Sequence, residues 1–119
     1  MMVTMKSLIE NISSKRLYKI HVLHVDISAK NQALVKTLET KNCIIEFNNV
    51  SKQLEQIEKK IALRDYYSAT TYYRLFIADM FPEYDKVAYI DSDTIVLNDI
   101  AKFVDYDLKD NYIGAIRDQ

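Results

Sequence analysis

KVAYIDSDTIVL, residues Lys86 to Leu97, sets two carboxylates, Asp91 and Asp93, between two apolar runs. Val87 to Ile90 reads as a short buried strand, and Thr94 to Leu97 as a second one. Charged side chains are rarely buried unless they are paired or hold a metal. In open α/β sheets, ligands bind outside the C-terminal ends of the strands, which is where this Asp-Ser-Asp would fall. Residues two apart in extended backbone point the same way, so both carboxylates would project from one edge. Such a pair can hold a hard divalent cation, Mg²⁺ or Mn²⁺, which keeps positions open for phosphate oxygens. The residues alone leave a second reading open, a polar turn whose aspartates cap local backbone N–H groups.

The sequence on either side reads as the scaffold for this edge. Met2, Met5, Leu8, Ile9 and Ile12 recur at helical steps. Tyr18 to Val25 is almost continuously apolar and β-branched, as in a strand covered on both faces. Asp26 to Ser28 is a turn, with Ser28 placed to cap a helix over 29–39 whose face is Ala33, Leu34 and Leu38. Cys43 to Phe47 is a second strand. This α-β-α-β order with short connections predicts a parallel sheet. Leu54, Ile57 and Ile61 predict a helix within 50–64. A further helix over 66–81 has Ser68 as its cap, a stripe of Tyr72, Leu75, Phe76 and Met80, and Pro82 as its stop. A helical turn from Asn98 to Phe103, a polar loop from Asp105 to Asn111 and a last strand from Tyr112 to Ile116 complete the order. Beginning on a helix and ending on a strand, with one Gly and one Pro, the chain reads as a domain cut at both ends.

Bulk properties narrow the class. The 119 residues allow one domain, and 49% hydrophobic residues suffice for a core. Lys plus Arg is 16 and Asp plus Glu is 17, so there is no basic excess for nucleic acid. The lone cysteine, Cys43, allows no internal disulfide. No apolar run is long enough to span a membrane. The start, MMVTMKSLIENISSKR, lacks the basic region and apolar core of a signal peptide. A cytoplasmic location is expected, peripheral at the inner membrane in a longer protein.

Ser68 to Asp118 resembles the core of glycosyltransferase family 8, the group that includes glycogenin and the bacterial lipopolysaccharide galactosyl- and glucosyltransferases. The matching words are SATTYYRL from Ser68 to Leu75, DKVAYIDSDTIVL from Asp85 to Leu97, Asp107-Leu108, and IGAIRD from Ile113 to Asp118. MKSLIEN from Met5 to Asn11 is similar to the family's first helix, and Ile20 to Ile27 to its second strand. The resemblance implies a partial Rossmann-like α/β domain over 1–119, of the nucleotide-diphospho-sugar transferase (GT-A) type, with a mostly parallel sheet flanked by helices. It implies a retaining transfer of glucose or galactose from UDP-glucose or UDP-galactose to a saccharide acceptor, such as lipopolysaccharide or another cell-surface glycan, assisted by Mn²⁺ (or Mg²⁺). Carried over residue by residue, Asp91 and Asp93 are the candidate metal ligands. Arg74, Asp91 and Ser92 are the candidate donor-binding residues, with Asp91 also reaching the ribose. Asp118 is the candidate catalytic residue, lining the sugar pocket. The residues by themselves leave Arg74 free to pair with Asp79 or Asp65, and Asp118 to be a solvated tail residue.

The resemblance also implies parts that would lie outside this stretch: a first strand with an acidic nucleotide-binding loop, and a C-terminal half with a metal-ligand histidine. His21 and His24 read as core-edge residues and do not replace that histidine. An open sheet edge would then favour self-association. An inactive remnant or interaction module is the alternative function. A third is a haloacid dehalogenase-type phosphatase, whose nucleophile loop Asp91 to Ile95 also resembles. That loop usually follows the first strand of its domain, and Ile95 stands where it carries Thr or Val.

Overall fold

The computed structural model describes residues 1–60 and 69–115. The expected Ser68 cap and the candidate Asp118 lie outside these residues.

Tyr18–His24 (β1) and Cys43–Asn49 (β2) pair in parallel, from Tyr18 opposite Cys43 to His24 opposite Asn49. The ladder continues at both ends, where Tyr18 N–H donates to Asn42 O and Val50 N–H to His24 O. The expected parallel α/β order holds, with helices on both faces, although Lys19, Ile44 and Glu46 remain about half exposed. On one face lie α1 (Met2–Asn11) and α2 (Ala29–Lys36). Met5, Val22, Val35 and Ile45 form its buried cluster, with Ile9, Ile20, Leu38 and Phe47 packed around them. On the other face are α3 (Ser51–Lys60), a 3-10 helix (Ala69–Phe76) and α4 (Ile77–Met80). Val50, Leu54 and Phe76 are buried there, against Leu23, Tyr72 and Met80.

Local chemistry sets the element ends. Ser28 caps α2 as expected, its Oγ accepting from Asn31 N–H at 3.3 Å. The buried face of α2 differs from the expected one: Val35 is inside, while Leu34 is 56% exposed. The helix is only eight residues long, and Val35 with Leu38 meets the core better than Leu34 does. The expected long helix before Pro82 is a 3-10 segment followed by one α turn, and Leu75 leaves its stripe for solvent.

The larger correction concerns the opening stretch. Neither Val87–Ile90 nor Thr94–Leu97 forms a strand, nor do residues 112–115. Val87, Ile95, Leu97 and Tyr112 are exposed. A strand needs a paired neighbour, and among the described residues β1 is hydrogen-bonded only to β2. A cleft of about 930 Å³ lies along β1 instead, with Lys86–Asp93 also in its lining. Apolar residues in this segment therefore report a segment beside the sheet, not within it.

The segment is held at its far end by polar anchors. Tyr18 O–H reaches both carboxylate oxygens of Asp99, at 2.8 and 2.9 Å. Asp99 also accepts from Ser13 and Ala101 N–H, the latter just inside α5 (Ala101–Val104). Arg16 grips Asp105 with both guanidinium arms, at 3.0 and 2.6 Å. The Ala101 N–H, ahead of other causes, holds the Asp99 carboxyl below its usual value, and the Arg16 hydrogen bond does so for Asp105. Burial first, then Asp99, pushes the Tyr18 phenol up. A lowered carboxyl stabilises the fold above its ordinary value of 3.8 and loses that effect as the pH falls through the lower folded value. The raised phenol contributes fully below 10.0 and fades as the pH climbs through its raised value. Stability is therefore expected to plateau between these limits and fall on both sides. A Tyr18→Phe variant removes the alkaline arm due to this group, measurable by urea unfolding across pH.

Candidate functional site

Asp91, Ser92 and Asp93 sit on a tight turn rather than on the end of a strand. Thr94 Oγ1 donates to Asp91 O at 2.9 Å, closing the turn. The alternation that would align two side chains on extended backbone therefore does not apply here. All three residues are exposed, and both aspartates border the cleft. Their carboxylates cap no backbone N–H among the described residues, so the simple polar-turn reading does not account for them.

Arg74 is brought to the same wall. It lies in the last turn of the 3-10 helix, just before α4, and its Nη2 lies 3.9 Å from Asp91 Oδ1. That is an ion pair without a hydrogen bond. Among the described residues, Asp91 and not Asp79 is its carboxylate partner. The guanidinium also lies over the Tyr89 ring, 5.0 Å from its centroid. Burial first, and then the Asp91 carboxylate, push the Tyr89 phenol up, while Arg74 acts in the opposite direction. Tyr89 is thus a member of the site that was missed in the sequence. No local spacing marks it, because its partner Arg74 lies in a separate element.

A second missed residue lies on α1. Thr4 is 8% exposed, and its hydroxyl faces Ser92 O at 2.7 Å and Thr94 O at 2.8 Å. Nothing in its sequence neighbourhood marks it beyond its place on the apolar side of the helix.

The histidines behave as expected. His24 is buried, its Nδ1 accepting from Ile27 N–H. His21 lies between Asn48 and the Phe81 and Tyr84 rings. Neither is gathered with Asp91 and Asp93.

Two carboxylates of one exposed turn are hard oxygen donors. Among the described residues, no cluster of three or more His, Cys, Asp or Glu could hold an ion. Among the described residues, the donor set therefore makes no all-protein cage. It fits the other mode of hard-cation binding, in which one or two carboxylates share the ion with substrate phosphates and water. The cleft beside it lies within the size range of small-molecule sites. No described helix is long and apolar enough to cross a membrane.

Helices on both faces of a parallel pair, with an acidic turn beside the sheet, define an α/β domain. The chain belongs to glycosyl transferase family 8, whose family model matches residues 1–119. No match was found among curated proteins or solved structures. The chain is thus of a glycosyltransferase family with a partial Rossmann-like, GT-A type fold. The phosphatase alternative has no support beside this match.

Proposed function

We propose that residues 1–119 are the donor-binding part of a retaining hexosyltransferase that takes glucose or galactose from a UDP-sugar to a saccharide acceptor of the cell surface. The observation that carries this reading is the meeting of Arg74, Tyr89 and the Asp91–Asp93 turn on one wall of the cleft. In this reading Asp91 and Asp93 hold a divalent cation, Mn²⁺ or Mg²⁺, which supplies charge neutralisation at the departing diphosphate. Ser92 and Asp91 face the nucleoside. Arg74 offers its planar fork to phosphate oxygens. Its pair with Asp91 is about half exposed on both sides, and such pairs are weak. An incoming phosphate can therefore take the guanidinium without a large loss. Asp118 is proposed to line the sugar pocket.

The alternative, a chain that neither binds donor nor turns over, is favoured by one observation: among the described residues, no cluster of three or more metal-ligating side chains forms at the turn. Calorimetric titration of the chain with UDP separates the two. Saturable heat that requires Mn²⁺ is expected from a donor site; no heat with or without Mn²⁺ supports the alternative.

A further inference from the structure

Among the described residues, no strand holds the turn that carries Asp91 and Asp93. Among the described residues, none of the backbone–backbone hydrogen bonds outside the regular elements involves residues 86–97. Such unpaired backbone is usually paired with side chains or water. Here one helix supplies the partners. Thr4, Ser7 and Asn11 recur at three and four residues along α1, so they share a face.

Their hydrogen bonds fall on the same short segment. Thr4 Oγ1 faces the carbonyls of Ser92 and Thr94. Ser7 Oγ accepts from Val96 N–H at 3.0 Å while its own O–H goes to Thr4 O at 2.9 Å. Asn11 Nδ2 donates to Val96 O at 3.0 Å and to Ser7 O at 2.8 Å. Ser7 and Asn11 use their donors in agreement with their chemistry, one O–H for one carbonyl and two N–H for two. Thr4 is the strained member of the inventory, since one O–H serves two carbonyls. It is also the most constrained, being β-branched, buried and next to the core residue Met5. A helix threonine usually turns its hydroxyl back onto its own preceding carbonyls. This one is spent across 88 residues of sequence instead.

We infer that Thr4, Ser7 and Asn11 are positioning residues, a polar stripe of α1 that braces the backbone of residues 92–96 and fixes the Asp91–Asp93 turn for the cation-bound diphosphate. The inference rests on the donor-site reading above. α1 itself is anchored by Met5 and Leu8, so the stripe transmits the rigidity of the core to an exposed turn. Without it the two carboxylates would sample many separations, and the ordering would be deferred to the moment of binding.

The test is UDP titration by calorimetry with Mn²⁺ present, alongside thermal unfolding, on the parent chain and on Thr4→Val, Thr4→Ser, Asn11→Ala and Asp93→Ala. Thr4→Val is nearly isosteric and lacks the hydroxyl. It is expected to weaken UDP binding about fivefold to tenfold, the effect of one to two hydrogen bonds. Thr4→Ser restores binding to within about twofold, because the donor returns. Asn11 is exposed, and alanine suits a helix, so Asn11→Ala remains folded and still weakens binding several-fold. Parent-like affinity in both folded Thr4→Val and Asn11→Ala overturns the positioning role, and so does affinity that follows only the melting temperature. Should Thr4→Val not fold, Asn11→Ala alone decides. Parent-like binding by Asp93→Ala overturns the donor-site reading itself, and the positioning role with it; loss there with no effect of the stripe variants overturns the positioning role alone.

Discussion

Ile45→Ala is expected to destabilise the chain by about 2–5 kcal/mol, while Ile44→Ala one residue away changes stability by no more than about 0.5 kcal/mol. The two side chains point to opposite sides of β2. Ile45 is fully buried and packs with Met5, Val22 and Val35, so truncation removes transfer energy and leaves a cavity that helices on one side and a strand on the other cannot close. Ile44 is 54% exposed, and its loss exchanges one wet surface for another. The Ile45 backbone N–H is also tied to Glu39 Oε1 at 2.8 Å, which resists the shift that would fill the hole. Domains of this kind have about 5–15 kcal/mol of stability in all, so the loss is a large part of the total. Urea midpoints for the two variants check it. Equal losses would contradict the register of β2 against the core.

Asp93→Ala is expected to abolish measurable UDP binding that depends on Mn²⁺, with little change in stability. Asp93 is exposed and lies at the rim of the cleft, so the fold does not lean on it. For binding the balance is different. With two carboxylates at the turn, removing one leaves a single ligand, and a hard cation held by one carboxylate, water and phosphate gains little from the protein. Asp91→Asn is expected to be as damaging to the ion, and it also frees Arg74 from its partner. The measurement is the UDP titration in Mn²⁺ beside a urea melt. Lost stability and lost binding together would instead assign Asp93 a structural role.

Much of the scaffold could be read from the residues because it is set by burial. β1 and β2 share an apolar face of Ile20, Val22, Ile45 and Phe47, which only a covering layer explains, and Ser28 marks its helix by local chemistry. The phase of α2 was misread because Leu34 and Val35 are equally apolar neighbours; only the position of β2 decides between them. Lys86–Leu97 was misread for a deeper reason. Apolar composition is a local property, whereas strand formation depends on a partner that local sequence does not name. The residues do place Asp91, Asp93 and Arg74 as candidates, and the fold brings all three to one wall. They could not reveal Tyr89 under Arg74 or Thr4 beneath Ser92. The Thr4 contact joins positions far apart in the chain, and no spacing rule spans it.

The central claim is that the Asp91–Asp93 turn, with Arg74 beside it, is where a cation-bound diphosphate rests. Paramagnetic broadening by Mn²⁺ locates that directly. With UDP present and Mn²⁺ substoichiometric, amide signals of Tyr89–Thr94 and of Thr4 are predicted to vanish first. Those of α2, which takes no part in the cleft lining, stay sharp. Broadening centred instead on the acidic loop Asp105–Asp110, or spread evenly over the chain, would contradict the account.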